Sequence, residues 1–133
     1  MQLLQKAKTN PNIIFKQNIT NEYLVQLYNE SKLFIYPSFY EGFGFPVLEA
    51  LSCGTPVLCS DSTSLPEVGG DAPLYINPND LDDMLVKTKQ ILYDEALQLK
   101  MIKKGLTQSK KFTLEKMTEK YLEVFKMEEI NEK

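Results

Sequence analysis

The sequence predicts an α/β fold in which helices flank a parallel β-sheet. Two short runs at 33–36 and 56–60 are rich in branched or aromatic residues, as is typical of buried parallel strands. Between them, residues 46–53 favour one short helix. Pro46 suits the first helical position, and Gly54 suits the left-handed position that ends a helix. Strand, helix and strand together form a βαβ unit, whose two strands are parallel.

The segments that precede this unit continue the α/β pattern. Residues 1–12 are polar and predict a flexible or short helical lead-in, and the apolar run 13–17 predicts a further strand. Thr20 has a side-chain oxygen that can cap the helix expected after that strand. This part of the chain therefore adds one strand and one helix to the predicted sheet.

The segments that follow the unit complete the sheet. Residues 61–66 form a polar stretch that predicts a loop, and residues 66–68 predict a short helix that Gly69 and Gly70 end. Residues 74–76 are apolar and predict the last strand.

Three helices are expected in the rest of the chain. Asn79 or Asp80 can cap the first helix. Asp94 can cap the second, which is expected to fade around Gly105, and Thr113 can cap the third. The first helix is expected to face the sheet with a stripe at helical spacing, formed by Leu81, Met84, Leu85, Thr88, Ile91 and Leu92. The third carries apolar residues that can remain exposed, namely Leu114, Met117, Tyr121, Val124 and Phe125.

Composition limits the class of protein. The chain has 133 residues, of which 43% are hydrophobic and 25% charged, and this suits one globular domain with its own core. A net charge of −3 argues against a nucleic-acid partner, and no apolar run approaches transmembrane length. The absence of histidine excludes Ser–His and Cys–His catalytic pairs. Cys53 and Cys59 fit no zinc or redox spacing, so both are expected to be free thiols in the core.

The loop at 37–45 is the main candidate for a ligand site. It follows the carboxyl end of a predicted strand, which is where open parallel sheets bind their ligands. The helix after it should present unpaired N–H groups, those of Val47 and Leu48, and the positive end of its dipole, an arrangement that commonly binds phosphate. Gly42 and Gly44 lack a Cβ atom, so a ligand can approach the backbone closely there.

Two carboxylates flank this loop. Glu41 precedes the glycines, and Glu49 lies about one turn inside the predicted helix. Ionised carboxylates only accept hydrogen bonds, so they suit hydroxyl groups rather than phosphates. A phosphate between two groups that bind hydroxyls describes a nucleotide-sugar. The alternative is that both glutamates are ordinary solvent-facing acids. The dinucleotide fingerprint is excluded, because Val47 stands where its third glycine belongs.

The segment 37–57 resembles the donor-binding signature of the family-4 glycosyltransferases, which are GT-B enzymes. The signature is two glutamates separated by seven residues, here Glu41 and Glu49. Residues 65–72 resemble the next loop of the same family, and the resemblance extends from about residue 12 to 125. It implies a Rossmann-like fold that forms part of a GT-B C-terminal domain.

The resemblance also implies a domain division and a function. Residues 13–127 are expected to form an incomplete donor-binding domain between the lead-in and a tail at 128–133. The parent enzyme is expected to transfer a hexosyl group from a nucleotide-sugar to a glycan or lipid-linked acceptor, with retention, in polysaccharide or glycoconjugate biosynthesis. Neither a metal nor a cofactor is expected. The Asp80-x-Asp82 pattern matches a metal motif of another glycosyltransferase class, but acids at a helix start have a simpler electrostatic reason.

Roles for individual residues follow from the same resemblance. Glu41 is expected to be catalytic, holding a donor-sugar hydroxyl, and Glu49 to bind the ribose. Asn18 and Ile19 are expected to contact the base through their backbone. The remaining contacts are expected from backbone N–H groups, those of Gly42, Phe43 and Gly44 to the sugar and those of Phe45, Val47 and Leu48 to the phosphates.

The resemblance finally implies a missing partner. Nothing in the sequence corresponds to the N-terminal, acceptor-binding domain of a GT-B enzyme, so the isolated chain is expected to be inactive. The parent is expected in the cytoplasm, at the inner face of a membrane if it associates with one. The alternative is a non-catalytic nucleotide-sugar-binding module, or a subunit that completes a split enzyme.

Overall fold

A computed structural model describes residues 2–131 of the chain, and the side chains of residues 3–126. Its sheet has three parallel strands, β1 (Phe34–Tyr36), β2 (Val57–Ser60) and β3 (Leu74–Ile76), in the order β1-β2-β3. Phe34 lies opposite Val57, and Ser60 lies opposite Ile76. The predicted parallel α/β fold is therefore confirmed.

Helices connect and follow the strands. Within the described residues they are α1 (Gln2–Thr9), α2 (Asn21–Glu30), α3 (Phe45–Ser52), α4 (Leu65–Gly69), α5 (Leu81–Tyr93), α6 (Glu95–Ser109) and α7 (Leu114–Asn131). Thr20, Asp80 and Asp94 each accept the backbone N–H three residues later, at 3.3, 2.9 and 2.9 Å, which confirms these predicted caps. Of the predicted tail, residues 132 and 133 lie outside the described part of the chain.

The central strand β2 divides the core into two layers. All four of its residues are buried, and successive side chains point to opposite faces of the sheet. Val57 and Cys59 face a cluster that α3 and α4 cover, whereas Leu58 packs with Ile91 and Met101 of α5 and α6. Coverage on both faces is the usual environment of a parallel sheet.

The predicted strand at 13–17 is wrong. This segment has no regular secondary structure, and the N–H of Ile13 donates instead to Asn10 O at 3.0 Å in a turn. Ile14 is 75% exposed, and Phe15 is exposed as well. Within the described residues no strand lies beside this segment. Because a strand without a neighbour leaves its backbone groups unpaired, the apolar run alone cannot form one.

Two expectations about the helices also need correction. Gly105 does not end a helix, because α6 continues to Ser109. Instead it allows α6 to approach α3, since a Cβ atom at Gly105 would lie 2.9 Å from Leu51 Cδ2. On α5, Leu81 and Leu85 are exposed, so the face of this helix that meets the sheet is narrower than the predicted stripe.

The last helix keeps its apolar stripe exposed, as the sequence suggests. The exposed side chains of α7 are those of Leu114, Met117, Tyr121, Leu122, Val124 and Phe125. Within residues 2–131, no helix combines the length and the apolar character needed to cross a membrane.

Candidate functional site

The candidate loop lies where the sequence places it, between the carboxyl end of β1 and the start of α3. The helix begins at Phe45, so Pro46 occupies the second helical position rather than the first. Gly44 is the N-cap residue and adopts a left-handed conformation with a φ of 109°. At the other end, Gly54 has a φ of 73° and its N–H donates to Leu51 O at 3.1 Å, which confirms its predicted role in ending the helix.

The two loop glycines have different environments. A Cβ atom at Gly44 would lie 2.6 Å from Leu65 Cδ2, and the positive φ disfavours any other residue. Gly42 has no positive φ, and a Cβ atom there would meet nothing within 4 Å. The fold itself therefore requires a glycine at 44 but not at 42.

The Glu41 carboxylate is held by two hydroxyl groups. The hydroxyls of Tyr36 and Ser38 both donate to Glu41 Oε1, the latter at 2.8 Å. These hydrogen bonds stabilise the ionised form and lower the pKa of Glu41 below its ordinary value. For the same reason, the hydrogen bond to Glu41 raises the pKa of Tyr36 to about 12. The carboxylate is thus ionised at neutral pH and fixed by one oxygen, while Oε2 accepts no hydrogen bond from the described residues.

The loop between β2 and α4 also holds Glu41. Thr63 Oγ1 accepts the Glu41 N–H at 3.1 Å, and Ser64 Oγ donates to Glu41 O at 3.1 Å. Neither residue was among those that the sequence predicts for the site. Their signal in the sequence is the run of hydroxyl residues 62–64, directly after the strand that neighbours β1.

Glu49 lies on the exposed side of α3, one turn into the helix. Its Oε2 accepts the Tyr28 hydroxyl at 3.2 Å. Burial, and then the nearby Glu49 charge, raise the pKa of Tyr28. Tyr28 is itself fixed, because its ring packs edge-on against Phe34 at a centroid distance of 5.2 Å. The contact joins α2 to the candidate site and orients one oxygen of Glu49.

The N–H groups that are open at the start of α3 differ in part from those that the sequence predicts. Val47 and Leu48 donate their N–H groups to Gly44 O, at 3.0 and 3.2 Å, so these groups are not unpaired. Gly44 is the N-cap residue of α3, and the carbonyl of an N-cap residue accepts the first hydrogen bonds of its helix. Pro46 has no N–H. Among the described residues, no acceptor receives the N–H of Phe45, which leaves it as the open donor in the first turn.

Aromatic rings support the loop from the side. Phe43 packs against Phe45 at a centroid distance of 4.8 Å and against Phe112 at 5.9 Å. Phe112 precedes α7 and was not predicted to be near the site. The Phe45 ring is largely exposed, which leaves an apolar surface beside the open N–H.

The predicted base-binding residues are close to α2 in sequence, but the structure does not join them to the loop. Asn18 is exposed, has a φ of 54° and, with Ile19, precedes the Thr20 cap. No hydrogen bond among the described residues connects either of them to residues 41–49.

Other surface features lie away from this loop. Asp80 caps α5, and no three potential metal ligands of the described residues gather in one place. A groove of about 410 Å³ follows α6 and is lined by Asp71, Lys100, Lys103, Lys104, Thr107, Gln108 and Lys111. A second depression, of about 580 Å³, lies over residues 77–82. Neither of these two grooves is lined by a residue of the segment 41–49.

Comparisons with known proteins identify the family and the fold of the chain. Residues 1–108 match the family model described as "Glycosyl transferases group 1". The chain is 42% identical over 126 residues to an O-antigen chain mannosyltransferase B of Escherichia coli, a match that covers 95% of this chain and 33% of that protein. It is 45% identical over 101 residues to a serotype-specific mannosyltransferase of Escherichia coli, covering 76% of this chain and 12% of the relative.

A solved structure extends the similarity to three dimensions. Sucrose-phosphate synthase from Thermosynechococcus elongatus matches with a TM-score of 0.81 and 28% sequence identity, over 95% of this chain and 33% of that structure. The chain thus spans about a third of the length of mannosyltransferase B and of the sucrose-phosphate synthase structure. It belongs to the group 1 glycosyl transferases, and its fold is part of the Rossmann-like C-terminal domain of a GT-B glycosyltransferase.

Proposed function

We propose that this chain supplies the nucleotide-sugar-binding part of a retaining, metal-independent glycosyltransferase. The observation that carries the proposal is the fixation of Glu41. Its carboxylate is ionised and held by Tyr36 and Ser38 through Oε1 alone, at the mouth of a glycine loop that opens a helix. A carboxylate held by one oxygen leaves the other for a ligand hydroxyl.

The diphosphate would lie at the start of α3. The N–H of Phe45 is open at the first position of α3, where the dipole favours negative charge, and residues 42–44 directly precede it. These groups would stabilise the charge that develops on the leaving diphosphate. Val47 and Leu48 would contribute through the helix dipole rather than as separate donors, because their N–H groups are paired with Gly44 O.

The two glutamates would bind the two sugars of the donor. Glu41 Oε2 would accept a hydroxyl of the transferred sugar, and the negative charge would support the positive charge that develops at the anomeric carbon. Glu49 Oε1 would accept the ribose hydroxyls, since Oε2 is already oriented by Tyr28. Asn18 and Ile19, which precede the Thr20 cap of α2, would contact the base through their backbone groups.

The substrates are proposed from the relatives. The Escherichia coli proteins are named as mannosyltransferases, one of them for the O-antigen chain, so mannose is the first sugar to test and polysaccharide biosynthesis the first process. Another relative, from Campylobacter jejuni, is named for a diphospho-undecaprenol substrate. The last of these names supports an acceptor linked to a lipid, and we propose that transfer to it takes place at the cytoplasmic face of a membrane.

A second candidate is a donor-binding module without activity of its own, or one subunit of a split enzyme. The observation in its favour is that the proposed donor contacts, at Glu41, Phe45 and Glu49, all lie within this chain, whereas transfer also needs an acceptor site. Activity that appears only when a separate acceptor-binding chain is added would support the split enzyme.

Nuclear magnetic resonance titration of the isotope-labelled chain tests donor binding. UDP, GDP, UDP-glucose and GDP-mannose are added in turn to the wild-type chain, to Glu49→Ala and to the control Glu119→Ala on α7. We expect shifts centred on residues 41–49 that favour one base, are lost in Glu49→Ala and persist in the control. A folded chain that shows no shifts with millimolar ligand would contradict the proposed donor site.

A further inference from the structure

We propose that the loop between β2 and α4 is a positioning element for the donor site, in which Thr63 and Ser64 fix the backbone of Glu41 and thereby aim its free carboxylate oxygen at the ligand. This inference rests on the proposed function for its ligand. Its geometric part stands on the contacts of Glu41 alone.

Almost every polar group of Glu41 already has a partner. Its N–H donates to Thr63 Oγ1, and its carbonyl accepts from Ser64 Oγ, both at 3.1 Å. Oε1 accepts from two hydroxyls of its own strand and loop. Only Oε2 is without a hydrogen bond among the described residues. A side chain fixed at its backbone and at one carboxylate oxygen has little freedom left, so the remaining oxygen is preorganised.

The conformation of Thr63 indicates that its hydrogen bond with the Glu41 N–H is accompanied by backbone strain. Thr63 is exposed and adopts a φ of 53°, in the left-handed region that β-branched residues rarely occupy. Such a conformation persists only where the surroundings impose it, and it is a reason to look for function. Here the hydroxyl that this conformation presents is the one that holds the Glu41 amide. An exposed threonine adds nothing to the core that would explain the strain.

The neighbouring hydroxyls extend the same arrangement along the loop. Ser64 Oγ also donates to Phe43 O at 2.7 Å, so its single proton is shared between the carbonyls of residues 41 and 43. Ser62 Oγ donates to Ser38 O at 3.1 Å. Three successive hydroxyl residues thus hold three points of the loop, at 38, 41 and 43. Side chains from the loop after β2, rather than the hydrogen bonds between β1 and β2, therefore set the position of the candidate loop at 37–45.

A pair of substitutions at Thr63 separates the hydroxyl from the shape of the side chain. Thr63→Val keeps the shape and removes the acceptor, whereas Thr63→Ser keeps the acceptor. We expect Thr63→Val to speed hydrogen exchange of the Glu41 amide, to raise the Glu41 pKa towards 4.5, and to weaken nucleotide-sugar binding about five- to tenfold, as the loss of one hydrogen bond implies. Thr63→Ser should stay within about twofold of the wild type. Thr113→Val, which removes an equivalent hydroxyl that accepts the Lys116 N–H at 3.3 Å, is the control and should change none of these values.

The possible outcomes decide between the positioning role and a purely structural one. Unchanged exchange and unchanged Glu41 pKa in Thr63→Val would overturn the inference. Faster exchange with unaltered donor affinity would overturn the positioning role and leave only a structural contact. If the wild-type chain binds no nucleotide-sugar, the proposed function fails, and faster exchange together with a raised Glu41 pKa in Thr63→Val would still support the fixation of Glu41.

Discussion

Replacement of Gly44 by alanine should destabilise the fold, because two independent features of the structure oppose a side chain at this position. The backbone of Gly44 has a φ of 109°, which only glycine adopts readily. In addition, the new Cβ atom would lie 2.6 Å from Leu65 Cδ2, and Leu65 is fully buried. The leucine cannot move into solvent to make room.

The magnitude follows from these two features. The left-handed conformation costs an alanine about 1–2 kcal/mol, and overpacking of a core leucine costs about 1–3 kcal/mol. The lower backbone entropy of the unfolded alanine variant offsets about 0.4–1 kcal/mol of this. We therefore expect Gly44→Ala to lower the free energy of unfolding by about 1–4.5 kcal/mol, a large share of the roughly 5–15 kcal/mol typical of a domain.

Urea unfolding at 25 °C, followed by far-ultraviolet circular dichroism, measures this change. With a slope of about 1.5 kcal/mol per molar urea, the midpoint should fall by about 0.7–3 M. Gly42→Ala is the matched control, since its Cβ atom meets nothing and its φ is not positive, and it should stay within about 0.5 kcal/mol of the wild type. A Gly44→Ala chain as stable as this control would refute the reasoning.

Four further predictions concern the ligand, pH, the core and the thiols. Gly42→Ala should weaken nucleotide-sugar binding in a titration although stability is unchanged, because only a ligand approaches this position; equal affinity would contradict that. The lowered pKa of Glu41 means that its contribution to stability is present above the unfolded pKa near 4.5 and is lost as pH falls through the folded pKa. The difference in unfolding midpoint between wild type and Glu41→Gln should therefore shrink below pH 4.5, and a constant difference would argue against the hydrogen bonds to Oε1. Ser60→Ala should raise the free energy of unfolding by about 1 kcal/mol, because the buried Ser60 hydroxyl has no partner among the described residues; a loss of stability in urea unfolding would indicate an unseen partner. Iodoacetamide should modify Cys53 before Cys59, since burial raises the pKa of Cys59 to about 12 and leaves its thiol with no exposed surface, and mass spectrometry of digested protein reports the order.

The βαβ unit around the candidate loop was predictable because its signals are local. Gly54 ends α3 with two hydrogen bonds, its own N–H to Leu51 O and that of Thr55 to Ala50 O at 3.0 Å, and both depend on the left-handed glycine. A glycine after a helical stretch of suitable length is visible in the sequence. Both flanking strands are apolar runs, visible in the same way, although only β2 is buried throughout and Ile35 of β1 is exposed.

The errors occurred where structure depends on distant residues. The apolar run 13–17 needs a neighbouring strand, which no local pattern can guarantee. A glycine such as Gly105 commonly marks the end of a helix. Here, however, its lack of a side chain is explained by close contact with Leu51, which is far away in sequence. The pairing of the Val47 and Leu48 N–H groups depends on where α3 begins, because the helix starts at Phe45, one residue earlier than predicted, and Gly44 is its N-cap residue.

The same reasoning explains why part of the site was missed. Glu41 and Glu49 are recognisable from their spacing around the glycines. Thr63 and Ser64 are not recognisable in this way, because their role depends on the pairing of β2 with β1. This pairing places the loop after β2 beside the candidate loop. Loops that follow adjacent parallel strands meet at one edge of the sheet. Hydroxyl residues in such a loop are therefore worth considering as partners for the neighbouring site.

A crystal structure of the chain with a bound nucleotide-sugar, GDP-mannose or the donor selected by titration, tests the central claim most directly. The proposal predicts the diphosphate at the start of α3 near the Phe45 N–H, the ribose hydroxyls at Glu49 and a hydroxyl of the transferred sugar at Glu41 Oε2. A diphosphate bound instead in the lysine-lined groove along α6, with the loop at 41–49 empty, would contradict it.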